Sequence, residues 1–427
     1  MSARVHMRNS WVKRIMAIPG HALDYLKGKT AGLVLSSQLA EQADGIRLNP
    51  EHLNRLRNAY EAIAPSSSDA VSLTSEQRAL MDRIQEETSR LNRNNVIRTK
   101  AYYAIYKRHP ELHWAFLAHM VSRNGGWNMT DLRGELHPRL IGKRRAGELF
   151  AFLERSNALI FQDAYPQLLL YEASKARNTS LFHLLPHFHV SRFMKPIWEL
   201  FWQERCSELL TIGLIVNEQS YIEGRVVQQK PYSSLLASSL LQLQSLLQLN
   251  VIVFPYAAAD TTDASNPPNR LTGLILETFS DLDERIEIGK KLYAVLFGVP
   301  AIREEALRFA AAVPHSGSRS DYWPHLFAPI RKAPPVWTYT EKLQGCSLLR
   351  PDDPIYSPAL STVWPDRPVE PPDRYDWFLG SRGISIDDVM HHLSDVSLPR
   401  SFEITNEACF ALNKLELAIL AGEPLRD

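Results

Sequence analysis

The sequence predicts a mainly α protein. It should form a large helical-bundle-like domain with at most a minor β-hairpin, followed by a C-terminal extended strap rich in proline and aromatic residues. Three observations lead there. Apolar residues recur at helical spacing through most of the chain before Pro314. Runs that read as strands are confined to Asn250–Phe254 and Leu271–Phe279. Beyond Pro314, prolines lack the backbone donor that a helix interior needs, while Trp337, Tyr339, Tyr356, Trp364, Tyr375 and Trp377 are too many aromatics for a disordered linker. The expected organisation is an N-terminal helical extension over 1–69, a main helical domain over 70–313, and a strap with closing helices over 314–427 packed on it.

In order along the chain, Leu53, Leu56, Tyr60 and Ile63 place a helix over Glu51–Ala64, and Pro65-Ser66-Ser67-Ser68-Asp69 breaks it. Thr74-Ser75-Glu76-Gln77 is a capping box, with Thr74 accepting from the Gln77 N–H while the Gln77 side chain reaches back. The helix it starts carries Leu80, Ile84 and Leu91. A further helix runs from Asn95 to His109-Pro110. Pro110 suits the first turn of the next, which should stop after Arg123 at Gly125-Gly126. Helical patterns follow at Lys143–Ser156, Ala158–Ala176, Val190–Glu204, Ser207–Val227, Ser233–Gln248, Ser280–Phe297 and Arg303–Val313. Two more close the chain near Ile386–Leu393 and Glu403–Leu420. The two strand-like runs pair across the Asp260–Asn269 loop.

The chain has 427 residues, 45% hydrophobic and 22% charged, an ordinary globular balance. Lys plus Arg is 48 against 47 for Asp plus Glu. That balance removes the electrostatic case for sequence-independent nucleic-acid binding; only local stretches such as Lys143-Arg144-Arg145 argue for it. Cys206, Cys346 and Cys409 lie far apart with no CxxC pair, which argues against a disulfide framework or zinc ribbon and fits a reducing compartment. No apolar run approaches the roughly 18 residues of a membrane span. Ile15–Ile18 is too short for a signal h-region, although an amphipathic surface helix at Trp11–Tyr25 fits the pattern. The cytoplasm is the expected location.

Four segments carry polar chemistry. In His119–Leu132, a glycine pair between two helices would free backbone N–H groups, and Asn128 or Thr130 would cap the second helix. Such an N-terminus, helped by Arg123, holds a phosphate or carboxylate; the plainer alternative is a capped corner with Trp127 in the core and Arg123 paired with Asp131. His119 lies one turn from Arg123 and is a candidate acid or base. If the two helices pack antiparallel, Arg98 joins Arg123, Asn124 and Asp131. Second, Glu218 ends the apolar run Leu209–Val216, so it is either a general acid or base or half of a structural ion pair. Third, His183, His187 and His189 surround Pro186 without an HExxH pattern, and no metal is expected. Fourth, Ser316-Gly317-Ser318-Arg319 is a flexible stretch with a cation, but neither a P-loop nor a GxSxG elbow. Glu111 lacks an identifiable second carboxylate for glycoside chemistry.

Arg98–Tyr102, His109–Trp114 and Val121–Leu132 together resemble a bacterial family of uncharacterised proteins called domain of unknown function 2515. The resemblance is most specific over Asn94–Leu132 and extends to about Trp323; residues 1–70 and the strap after Pro329 are not placed in it. It implies a bacterial origin and brings no activity, cofactor or catalytic residue.

The resulting expectation is a binding or scaffold protein with a polar Arg/Asn/Asp/Glu pocket. Its rival is an enzyme with hydrolase-like acid/base chemistry on an anionic or sugar-like substrate. Glu218 and His119 would be catalytic, and Arg98, Arg123, Asn124, Asp131 and Arg319 would bind the ligand. No cofactor is expected, and the aromatic strap suits a protein partner.

Overall fold

The computed structural model of the chain describes residues 27–63, 73–230, 232, 247, 249–257, 269–332, 338–372, 376–378 and 384–422. The Trp11–Tyr25 segment, the break at Pro65–Asp69, most of the helix at Ser233–Gln248, most of the Asp260–Asn269 loop, and Trp337 and Tyr375 lie outside them. The fold is mainly α with small two-stranded sheets.

Helix α1 covers 27–40. It is followed by α2 (Pro50–Glu61), α3 (Ser75–Leu91), α4 (Asn95–Arg108) and α5 (His113–Asp131). The capping box at Thr74 forms as expected. α6 (Lys143–Arg177) is one helix where the sequence suggested two, and it keeps Pro166 in its interior. α7 (Met194–Glu204) and α8 (Ser207–Ile222) come next, and α8 runs into a π-helical turn at Glu223–Val227. The hairpin β1 (Val251–Tyr256) and β2 (Arg270–Ile275) is antiparallel, with Val251 opposite Ile275. α9 (Leu282–Gly298) and α10 (Pro300–Ala312) complete the body.

α5 is the axis of the fold. It packs against α4, α6, α8, α9 and β1, and Trp114, Ala115, Phe116, Met120, Trp127 and Met129 along it are fully buried. It is also where the structure departs most from expectation. The helix starts at His113 rather than Pro110, and it does not stop at Gly125-Gly126 but continues to Asp131. A glycine pair inside a helix costs about 1 kcal/mol per residue relative to alanine, so packing must offset it. A Cβ on Gly126 would stand 2.4 Å from both Asn95 Oδ1 and His315 Nε2, and one on Gly125 3.4 Å from Asn157. The pair is a notch into which other side chains fit. With no helix end there, Asn128 and Thr130 cap nothing, and the expected anion site at a helix N-terminus is not formed.

The strap is tethered to the helical body at several points. Arg93 and Asn94 hold Asp366, Gln162 and Arg155 hold Glu370, and Ser191 holds Asp376. Trp377 is buried and donates to Asn217 Oδ1 at 2.9 Å. The Val369–Pro372 stretch and Pro166 of α6 line one pocket. The last segment is woven into the body. Ile404 N–H donates to Leu271 O and Gly273 N–H to Phe402 O, so 402–404 extends the hairpin edge. α13 (Thr405–Leu420) follows, after the short helices α11 (Leu360–Val363) and α12 (Ile386–His392). Glu416 on α13 accepts from Tyr339 and from the Lys342 and Leu343 amides.

Cys346 and Cys409 are paired as a disulfide, with Cα atoms 5.2 Å apart, and Cys206 is free. This corrects the expectation drawn from cysteine spacing. The two lie 63 residues apart in sequence, and only the return of the strap to α13 brings them together. No described helix is long and apolar enough to cross a membrane.

Candidate functional site

The residues expected to share one polar site fall into separate groups. Arg98 is buried and forms an ion pair with Glu154 at 2.6 Å, with Asn92 as a second partner. Asn124 donates to Val251 O and accepts from Val253 N–H, holding the edge of β1 that faces away from β2. Asp131 pairs with Arg319 at 2.6 Å, not with Arg123. Arg123 donates to Val313 O at 2.8 Å and lies 4.5 Å from the Phe309 ring centroid. Burial pulls its pKa down to about 10.

His119 donates from Nδ1 to Thr99 O at 2.8 Å and stacks on Tyr103. Burial, with Arg123 nearby, lowers its pKa to about 3, so the ring is neutral at physiological pH. Glu111 is held by Lys175 and Tyr171; although burial opposes ionisation, these partners bring its pKa to about 2. It carries no proton for acid catalysis at neutral pH. His183 meets Gln77 at 3.0 Å.

A buried hydrogen-bonded chain runs through the glycine notch. Ser122 Oγ meets Thr99 Oγ1 at 2.7 Å and accepts from Asn95 Nδ2 at 3.1 Å. Because Asn95 Nδ2 also donates to Ser122 O, its Oδ1 is the atom facing His315 Nε2 at 2.9 Å. His315 Nδ1 lies 3.4 Å from Asp321 Oδ2, which accepts from Trp127 and Ser316. Serine, histidine and aspartate occur here together, but an amide stands between serine and histidine. An amide in that position cannot take the serine proton, so Ser122 is not an activated nucleophile.

Glu218 stands apart from the charged residues above. It lies near the end of α8 and opens into a cavity of ≈ 190 Å³ between α5, α8, α9 and the hairpin. The walls are mostly apolar, with Leu117, Ile215, Ile252, Phe279, Ile288 and Leu292 among them. The polar groups are few: Ser122, Asn157, Glu218, Gln219 and Arg285, with Tyr102 and Trp114 as amphipathic neighbours. Arg98, His119, Arg123, Asn124, Asp131 and Arg319 do not line this cavity.

Trp114 Nε1 donates to Glu218 Oε2 at 3.2 Å, and Gln219 Nε2 to Oε1 at 3.2 Å. These neutral donors are too weak to hold a charge there. Burial raises the Glu218 pKa to about 8, and the carboxyl of Asp163 on α6 pushes the same way. Glu218 is therefore protonated at neutral pH. It is partly accessible and lines the cavity. Asp163 is buried behind it, bonded by Asn217 and Gln167, with its pKa raised by burial to about 7.

Sequence reasoning named Glu218 because an ionisable group at the end of an apolar helix must have a reason to be there. It missed the cavity. Trp114, Asn157 and Arg285 reach it from three other helices, and the one local sign is Gly289. A Cβ there would stand 2.8 Å from Ile215, so the glycine lets α9 approach α8.

No solved structure matches the chain. A curated relative, "Uncharacterized protein YppC" of Bacillus subtilis (strain 168), is 41% identical over 245 residues, covering 57% of this chain and 73% of that protein. The family match spans residues 90–407, further than the motifs suggested, so it takes in the strap, the cavity, the glycine notch and the 402–404 edge. On that extent, the chain belongs to the family described as Protein of unknown function (DUF2515).

Proposed function

We propose that this chain is a small-molecule binding protein, and that its ligand seats an apolar body in the α5/α8/α9 cavity with a polar head against Glu218. The observation that supports this most directly is a protonated carboxyl, without a cationic partner among the described residues, on the wall of a mostly apolar cavity. An isolated acid in such surroundings is costly for folding alone, and concave apolar sites with a few convergent polar groups are the usual form of ligand sites.

Acid catalysis is the second reading. A carboxyl beside Trp114 that keeps its proton near neutrality has the property a general acid needs. That reading also requires a nucleophile or base on the same wall, and Ser122 is not activated.

Thermal shift and Trp114 fluorescence with ring-sized apolar compounds test the binding reading. Ala118 lines the cavity, so Ala118→Phe should fill it. The shift should be lost in this variant while the helical circular dichroism is retained. A shift that persists undiminished in folded Ala118→Phe would place the ligand elsewhere and sink the proposal.

A further inference from the structure

The charges around the cavity indicate which ligands it takes, on the reading that it is a ligand site. Glu218 is bonded by neutral donors alone. The other charged residue on the wall, Arg285, is fully engaged. Its Nε donates to Gln219 Oε1, Nη1 to Phe279 O, and Nη2 to Glu223 Oε2, which balances the guanidinium charge. From α6, Asp163 adds a second acid behind Glu218. From α4, Tyr102 contributes a phenol whose pKa burial raises well above the ordinary value, so it is neutral. The remaining wall from α9 and the hairpin is apolar, through Ile252, Leu276, Ile288, Gly289 and Leu292.

The cavity is thus short of one positive charge, and in the empty protein a proton supplies it. An anion would find one O–H donor on Glu218 and, among the described residues, no uncommitted cation on the wall. A neutral ligand would gain one hydrogen bond. A ligand carrying its own positive charge would gain a desolvated ion pair, and Trp114, Tyr102 and Phe279 add aromatic surface that favours cations. On size, a cavity of about 150 Å³ admits benzene, so ≈ 190 Å³ suits a ring with a short tail.

We propose that the cavity selects a lipophilic organic cation, an ammonium on a ring-sized apolar body, which pairs with Glu218 and displaces its proton. The exchange balances: the O–H bond of the Glu218 acid breaks, its electron pair stays on the carboxylate, the ammonium pairs with that carboxylate, and the proton leaves to solvent. No other group changes charge.

Titration calorimetry of the full chain with 2-phenylethylammonium, 2-phenylethanol and 3-phenylpropanoate tests this. The ammonium should bind at least ~10-fold tighter than the alcohol at about pH 8, and the propanoate weakest. In buffers of different ionisation enthalpy at about pH 6.5, the ammonium should release about one proton per molecule bound, and its affinity should rise with pH up to about 8. Glu218→Gln should remove the ammonium's advantage over the alcohol and the proton release. Should that variant misfold, the wild-type pH and buffer series still decide the matter. Equal affinities for ammonium and alcohol, absent proton release, or a preference for propanoate would reject the cation class while leaving the cavity as a binding site. If none of the three binds, both this inference and the binding reading fall.

Discussion

Gly126 and Gly147 are both glycines inside long helices, and they should respond oppositely to an added methyl. At Gly147, no atom lies within 4 Å of the new Cβ, so Gly147→Ala should gain about 0.5–1 kcal/mol from helix propensity and reduced chain entropy. At Gly126 the methyl meets Asn95 and His315 at 2.4 Å. We expect Gly126→Ala to lose about 2 kcal/mol by overpacking, in spite of the same propensity gain. Urea melts of the two variants check the pair; a stabilised Gly126→Ala would show that the notch is not filled. The sequence could not separate these glycines. Gly125-Gly126 satisfies every local rule for a helix stop, and the histidine that fills the notch bonds Asn95 from 220 residues away. The same distance problem hid the partners of Arg98, Asp131 and Arg123. Each needs an ion-pair or carbonyl partner, which charge alone foretells, but its identity depends on how helices pack. Glu218 was legible because an acid after a run of leucines and isoleucines is anomalous at the level of one helix.

Local pattern sufficed for most elements. The capping box at Thr74 and the α8 apolar run are determined within a few residues, and β1 and β2 by β-branched runs that cannot satisfy their backbone alone. Prediction failed where packing overrides propensity, as at Pro166, which was read as lying in one of two shorter helices and instead sits inside a 35-residue one. The strap shows a further element-scale effect. Its hairpin β3–β4 (Leu343–Gln344 with Ser347–Leu348) is too short to hold itself, and the Cys346–Cys409 bond ties it to α13. Closing a loop of 63 residues restricts the unfolded chain by about 4 kcal/mol in the chain-entropy description. Reduction with dithiothreitol, or Cys346→Ser, should therefore lower the melting temperature by several degrees. An unchanged melting temperature, with thiol alkylation confirming reduction, would show that Glu416 and the other tethers hold the strap without the disulfide.

For the whole molecule, stability should vary with pH in two opposed ways. His113, His119 and His315 are buried with pKa values lowered to about 4, 3 and 4. The unfolded chain binds these protons first, so stability rises with pH until about 6.5. Glu218 and Asp163 act the other way. Their pKa values are raised to about 8 and about 7, so the folded chain keeps protons that the unfolded chain has released. Their contribution is complete below the ordinary carboxylate range and is lost as pH rises through those values. Above about pH 6.5 only the acids act, and unfolding free energy should fall between about pH 6.5 and 8.5. Glu218→Gln combined with Asp163→Asn should flatten that fall. A wild-type protein equally stable at both ends would mean that neither acid holds its proton.

The 402–404 edge also bears on the timing of synthesis. Thr272 waits for Phe402, 130 residues later, before its hydroxyl and the strand beside it are covered. At about 5–20 residues per second, that interval is roughly six to twenty-six seconds on the ribosome. Throughout it, β2 presents an unpaired edge of the kind that recruits other strands. A nascent chain stalled before Phe402 would therefore be a natural client for a chaperone, with its helices largely formed and its hairpin still seeking a partner.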